Sequence, residues 1–298
     1  MHPHDAPTGE VPVAAVEASL GPPRVRVDVA ARSHQGLQRP NNEDHFLVAR
    51  LGRSFEVLAT NLTAGSVPSS YEEAGYALAV ADGMGGAEAG EVASALALSL
   101  GTRLALREPT WHLRLDEAQA QRLVERVDGY FRRIHEAVSA EARSGHGRSG
   151  MGTTLTVAYT VGYDLFVFHV GDSRAYLLRD GTARQLTRDQ TMAQELADSG
   201  AIPPEAVGTH RLRHVLTHVI GAGATKVAAA IYEGELVPGD RLLLCTDGLT
   251  DLVEDRTLGE VLGNADTAAA ACERLVELAL ARGGHDNITA AAAFYTAA

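Results

Sequence analysis

Three aspartates in this 298-residue chain stand at the same kind of place. Asp82 follows Ala77-Leu78-Ala79-Val80-Ala81 and opens Asp82-Gly83-Met84-Gly85-Gly86. Asp172 follows Leu165-Phe166-Val167-Phe168-His169-Val170-Gly171, and Asp247 follows Leu242-Leu243-Leu244-Cys245-Thr246. Each time a short apolar run with strand character stops at a carboxylate with glycine beside it, so that the sheet fixes the acid and the glycine lets the backbone turn away. A fourth, Asp286 in Gly283-Gly284-His285-Asp286-Asn287, sits just before the last apolar run. Any one Asp-Gly alone reads as a turn, but recurrence at one kind of position points to a single acidic cluster. Converging carboxylates repel one another and stay ionised together only around cations. Oxygen-only ligands suit hard divalent ions such as Mg²⁺ or Mn²⁺.

The elements that must hold these groups follow from periodicity. Residues 1–23 carry no pattern, end in Pro22-Pro23 and read as a mobile tail. From Arg24, Val25, Val27 and Val29 alternate with polar residues as a half-buried strand. Arg39-Pro40-Asn41-Asn42-Glu43-Asp44 is a polar loop that gathers an arginine and two carboxylates; alone it would be a solvated loop with a surface ion pair. Residues 52–75 predict one strand and a variable loop. Val92, Leu96, Leu100 and Leu104 predict one core-facing helix, and Leu123, Val127, Phe131, Ile134 and Val138 a second, with Trp111 packed between them. The G-x-G-x-x-G within Ser144–Gly150 follows a helix and precedes a strand, the reverse of what a dinucleotide site requires, and is set aside.

Beyond it, residues 153–159, 165–170 and 175–178 read as consecutive antiparallel strands, with Arg179-Asp180-Gly181 as a hairpin signal. The segment of about 187–224 loses periodicity, holds a short helix near Met192–Ala197 and a His/Arg-rich piece from His210 to His218, and reads as a flap over the sheet edge. Strand returns over 227–246, two helices fill 255–282, and a last strand starts at Asn287, although Ala290–Ala293 favour helix by propensity. No repeat or linker divides residues 24–298, so one domain is expected.

Composition narrows the partners. Hydrophobic residues make up 45%, enough for a sizeable core. With 26 basic against 38 acidic residues the formal net charge is −12, which argues against nucleic acid or an anionic membrane as partner. No apolar run reaches membrane-span length and the N-terminus lacks a signal-peptide pattern. Cys245 and Cys272 match no zinc spacing and read as buried reduced thiols, consistent with a cytoplasmic protein.

Seven motifs in order, Arg39-Pro40-Asn41-Asn42-Glu43-Asp44, Asp82-Gly83-Met84-Gly85-Gly86, Gly152-Thr153-Thr154, Gly171-Asp172-Ser173-Arg174, Leu186-Thr187-Arg188-Asp189, Thr246-Asp247-Gly248 and Asp286-Asn287, give a chain that resembles the metal-dependent protein phosphatases of the 2C family, in particular the compact bacterial serine/threonine enzymes. The resemblance runs from about residue 24 to the end. It implies an α+β fold, a four-layer α-β-β-α sandwich of two mainly antiparallel sheets flanked by helix pairs, with a metal centre at one edge. It further implies that Asp82 bridges two metals, with the Gly83 carbonyl on one and Asp247 and Asp286 on the other. Glu43 and Asp44 would hold metal-bound waters, Asp172 would share a third, weaker metal with Asp247, and Asp251 is expected close by. Arg39 matches the arginine that grips the substrate phosphate, a role for which a guanidinium fork is suited.

The implied cofactors are Mn²⁺ or Mg²⁺. The implied reaction is hydrolysis of phosphoserine or phosphothreonine by a metal-activated water without a phosphoenzyme, on phosphoproteins made by a serine/threonine kinase, by a monomeric enzyme. One departure is Met84, where many animal relatives carry His. Met cannot donate a proton, so water or a flap histidine such as His210 or His214 must serve the leaving oxygen. Two rival readings are a catalytically dead binding module, disfavoured because every bridging acid is present, and a phosphatase of anti-sigma factors or small molecules.

Overall fold

The structure is a computed structural model that describes residues 25–63, 65–85, 89–107, 117–144, 150–224 and 227–297. The N-terminal tail, Gly86, Trp111 and most of the Ser144–Gly150 stretch lie outside the described residues.

β1 (Val25–His34) shows the expected alternation of half-buried valines and exposed polar residues. β2 (Asp44–Glu56) and β3 (Ser70–Met84) form a long antiparallel hairpin. Both strands therefore invade the 52–75 region, and the loop there is shorter than the sequence suggests. β3 also does not stop at Asp82. It runs two residues further, pairing Gly83 with Thr153 and Met84 with Gly152 of the two-residue β4 (Gly152–Thr153).

Between them stand α1 (Ala89–Leu106) and α2 (Glu117–Ala142). Phe131, Ile134 and Val138 of α2 and Leu104 of α1 are buried as expected; Val92, Leu96 and Leu100 are partly buried against the same core, and Ala89, Ala93, Ser94 and Ala97 are buried more completely. Small residues let α1 lie close on the sheet, and the larger side chains flank the contact.

β5 (Leu155–Val161), β6 (Asp164–Val170), β7 (Arg174–Arg179) and β8 (Thr182–Gln185) follow. Asp180 (φ 51°) and Gly181 (φ 76°) make the predicted tight turn between the last two. α3 (Met192–Asp198) begins the flap, which ends near β9 (Ile220–Gly221). β10 (Ala230–Glu235), β11 (Arg241–Cys245), α4 (Asp247–Thr250), α5 (Asp255–Asn264), α6 (Ala268–Ala281) and β12 (Ile288–Ala297) complete the order.

Among the described residues the strands form two antiparallel sheets. One has the order β1-β12-β11-β7-β8. The other runs β10-β6-β5-β3-β4-β9, with β2 also on β3. Alternation along the strands sorts side chains into three apolar layers. Leu242, Leu244, Ala291, Ala293 and Tyr295 meet Leu78, Val80, Leu165 and Val167 between the sheets. Leu243, Cys245, Ala290, Ala292 and Phe294 pack outward against α5 and α6, and Phe166 and Phe168 against α1 and α2. The alanine run in β12 is strand because it lies between β1 and β11 with both faces covered, where ladder bonds and tight packing outweigh helix propensity. Cys245 and Cys272 are free and buried, and burial pushes both thiols up to about 12. No described helix is long and apolar enough to cross a membrane.

Candidate metal centre

Strand ends from both sheets meet at one edge. Asp44 opens β2 directly opposite Asp82 of β3. The Asp82 backbone is clamped: its N–H donates to Thr154 Oγ1 (2.9 Å), and its carbonyl accepts from the Thr154 N–H (2.9 Å) and Thr153 Oγ1 (2.8 Å). From the other sheet, Thr246 Oγ1 and Thr289 Oγ1 donate to Asp44 Oδ2 at 2.8 and 2.7 Å, so this one carboxylate ties the ends of β11 and β12 to β2.

Asp247 then starts α4. Gly248 permits this because a Cβ there would lie 1.9 Å from the Asn287 carbonyl oxygen. Asn287 fixes the remaining loop: its Oδ1 accepts from the Glu43 N–H (2.8 Å), and its Nδ2 donates to the carbonyls of Gln35 and Asn41 (2.8 Å each). Asp286 is thereby set beside Arg39, whose Nη2 lies 2.6 Å from Asp286 Oδ2. The Gly83 N–H donates to the Glu43 carbonyl (3.2 Å), which also accepts from Ser94 of α1 (2.6 Å).

The electrostatics are those of acids crowded without enough counter-charge. Burial, and then Asp44, Asp247, Asp172 and Asp286, push the Asp82 carboxyl well above the usual range. Burial and Asp247 do the same to Asp172, and burial with Asp286 and Asp251 raises Asp247. Asp44 is pushed up to about 7 by burial, against the pull of its two threonine donors. Burial also raises Glu43, while Arg39 opposes the shift. Asp44 Oδ1 and Asp247 Oδ1 are buried without a hydrogen-bond partner. An orphaned buried carboxylate oxygen is costly. Orphaned oxygens in an all-carboxylate cluster are the donor set that a hard divalent cation satisfies, so the residues present fit such ions.

The sequence-predicted residues Arg39, Glu43, Asp44, Asp82, Gly83, Asp172, Asp247, Asp251 and Asp286 thus come to one edge. Of the two flap histidines, His214 reaches the cluster, 3.7 Å from Asp247 and 3.4 Å from Asp251. The His210 ring instead accepts the Leu212 N–H (3.2 Å) within its own turn. Sequence reasoning missed the threonine pair on Asp44 and the bracing role of Asn287. It also missed His285, 3.8 Å from Asp251, and Arg213, 3.9 Å from Asp251. Asn287 and Thr246 were visible in their motifs, but the pairing of Thr246 and Thr289 with Asp44 carried no signal because the partner lies some two hundred residues away.

A polar cavity of about 220 Å³ separates the flap from the cluster, walled by Asp172, Arg174, Asp189, Arg213, His214 and Asp251. A larger cavity of about 280 Å³ lies between α1, α2 and the sheet, lined by apolar side chains such as Leu98, Val127 and Phe168, and it holds none of these acids.

Known proteins resemble this chain in sequence and fold. The family model described as Protein phosphatase 2C matches residues 67–280. The chain is 39% identical over 261 residues to the serine/threonine protein phosphatase PstP of Mycobacterium tuberculosis, an alignment covering 87% of this chain and 43% of that protein, so the chain spans less than half of that relative's length. It is 34% identical over 214 residues to the serine/threonine phosphatase stp of Listeria monocytogenes, covering 70% of this chain and 81% of the relative. A solved catalytic domain of PstP in complex with two manganese ions superposes with a TM-score of 0.70 at 35% identity, over 92% of this chain and 100% of that one. On the family match, these identities and a sandwich whose acids converge at one edge, the chain belongs to the protein phosphatase 2C family.

Proposed function

We propose that this protein is a metal-dependent serine/threonine protein phosphatase that hydrolyses phosphoserine and phosphothreonine in proteins by direct attack of water, without a phosphoenzyme. The observation that carries this reading is the convergence of Asp82, Asp172 and Asp247, all with raised pKa values and two orphaned carboxylate oxygens in the cluster, beside a half-exposed guanidinium. The opposing partner would be a serine/threonine kinase. Relatives that are named serine/threonine phosphatases support the substrate class, and two manganese ions in the PstP domain support the cofactor. Residues 24–298 would act as one catalytic domain with the flap over 187–224. Two buried unpaired thiols accord with a reducing compartment such as the cytoplasm.

Asp82, Asp247 and Asp286, with the Gly83 carbonyl, would hold two divalent ions, Mn²⁺ or Mg²⁺. When bound, such ions make water nucleophilic near neutral pH and neutralise charge on the phosphoryl oxygens. The protein's own groups supply the rest. Asp44 is braced by Thr246 and Thr289, and Glu43 by Asn287, so both orient water without moving. Arg39 uses one nitrogen on Asp286 and keeps its other N–H groups for phosphate oxygens, which places the phosphorus over the cluster. Neither buried cysteine can act as nucleophile, since burial holds both as thiols.

The test is release of phosphate from phosphothreonine and phosphoserine peptides by protein stripped of metal, with each divalent ion added back. The reading expects no turnover without metal, restoration by Mn²⁺ or Mg²⁺, and peptides preferred over metabolite phosphates. Metal-independent turnover, or turnover of metabolites alone, would overturn it.

A further inference from the structure

The flap delivers an imidazole to the acidic cluster, and its position is specified by backbone. The Met192 N–H donates to the Val215 carbonyl (2.8 Å) and the Thr217 N–H to the Gln190 carbonyl (2.9 Å), which brackets His214. Gln190 in turn grips Gly171: its N–H donates to the Gly171 carbonyl (2.8 Å) and its Oε1 accepts the Gly171 N–H (2.9 Å). Asp172 is the next residue, so His214 and Asp172 are registered against each other through one glutamine.

Donor atoms of Asp172, His214 and Asp247 all lie within 4.8 Å of one another. Two ligands of one divalent ion, each about 2.1 Å from it, stand about 3 Å apart at right angles and about 4.2 Å apart when opposed, so small side-chain adjustments bring all three donors onto one ion. Asp172 is only 8% exposed. Asp247 Oδ1 is buried and unpartnered.

We propose that His214 is a nitrogen ligand to a cation shared with Asp172 and Asp247, which makes the flap part of the metal centre. This rests on the metal-dependent reading above and goes beyond it, because it adds a flap ligand of a different chemical kind to the carboxylates. An imidazole is a poorer ligand for Mg²⁺ than for a first-row transition ion, so of the two implied cofactors this position disfavours Mg²⁺. A ring nitrogen committed to a cation is not free to protonate the leaving oxygen, so His214 is a ligand and not the missing acid. The flap is also better ordered when the ion is present, since the ion ties it to both sheets.

The test uses the full chain, stripped of metal and titrated with Mn²⁺ alone. Pulsed electron paramagnetic resonance on the saturated parent should detect imidazole ¹⁴N coupling to Mn²⁺, lost in both His214→Gln and His214→Ala. Calorimetry should show the weakest Mn²⁺ falling in affinity by about tenfold or more in the variants, with the tighter ions unchanged and Mg²⁺ binding altered by less than about twofold. Circular dichroism checks that both variants fold, and His214→Gln keeps a polar side chain of similar reach. The proposal is overturned by a saturated parent without ¹⁴N coupling, by coupling that persists in both variants, as ligation by His285 would give, or by unchanged Mn²⁺ affinity. A parent that binds no Mn²⁺ at all overturns it together with the reading it rests on, and loss confined to the weakest ion separates the two.

Discussion

The floor of the acidic centre and the flap that overhangs it both hold charged side chains in place, by different means. In the floor, each acid sits on or beside a strand whose ends are cross-linked. Asp44 is only 4% exposed and accepts two threonine hydroxyls, and the Asp82 backbone makes three hydrogen bonds. The flap offers less redundancy. Met192 and Val215 are 39% and 43% exposed, and Arg188 and Asp198 pair at the surface. His214 and Arg213 meet the floor through polar contacts to Asp251, at 3.4 and 3.9 Å. A rigid floor and a lightly packed roof suit a division in which the tight ions and the hydrolysis belong to the floor, while the flap sets the choice of substrate and adds one ligand to the weakest ion.

The sharpest way to break that division is Asp82→Asn. Loss of the carboxylate nearest the middle of the cluster should lower kcat/KM by at least about a thousandfold, corresponding to several kcal/mol of transition-state stabilisation; steady-state kinetics within about tenfold of the parent would refute the floor's role. Arg39→Ala comes next. The guanidinium is half exposed and faces solvent as well as Asp286, so KM for a phosphopeptide should rise by roughly tenfold or more with metal affinities nearly unchanged. Calorimetry that showed lost metal binding instead would move Arg39 from the substrate to the scaffold.

A smaller effect on chemistry is expected from replacing residues 187–224 by the equivalent segment of a relative. Hydrolysis of a small aryl phosphate should stay within about tenfold while the ranking of peptide substrates changes. Abolished small-substrate turnover in a folded, metal-binding chimera would show that the flap carries an indispensable catalytic group.

The smallest effect is on stability. In the metal-free fold Asp82, Asp172, Asp247 and Asp44 all hold their protons more tightly than in the unfolded chain, Asp44 with a value of about 7 against an ordinary 3.8. A raised acid contributes stability in full below its unfolded pKa and loses it as pH rises through the folded value. The metal-free melting temperature of the parent should therefore fall from about pH 4 to beyond pH 7 relative to that of Asp82→Asn. Saturating Mn²⁺ should remove that fall in the parent, because bound cations hold its acids ionised. Buried His169, lowered to about 4 chiefly by burial, works in the opposite sense and loses its contribution as pH falls, but it is common to both proteins and cancels in the comparison. Identical slopes in the metal-free proteins would mean that Asp82 is not under strain from its neighbours.

Much of this was legible in the sequence because the floor is built from local signals. An apolar run, an acid and a glycine are contiguous at Asp82, Asp172 and Asp247, and the alternation in β11 and β12 reads directly as two covered faces. The helical reading of α1 held, with Leu104 buried and Val92, Leu96 and Leu100 packed against the same core, but it did not show that Ala89, Ala93, Ser94 and Ala97 are the residues buried most completely. The length of β3 past Asp82 depends on β4, a two-residue strand that exists only through its partners. Met84 and the polar flap left the position of His214 unreadable, since its bracket is made of backbone bonds among residues 190–217 with no side-chain pattern.

The central claim is that the floor carboxylates hold two divalent cations and that Asp82 is the acid on which both depend. Counting Mn²⁺ bound to metal-free protein by calorimetry, in the parent and in Asp82→Asn, tests it most directly. The account predicts two tightly bound ions per parent chain, as in the PstP domain, and loss of that tight pair in a variant that remains folded. A folded Asp82→Asn protein that still binds two ions at the parent's affinity would contradict it.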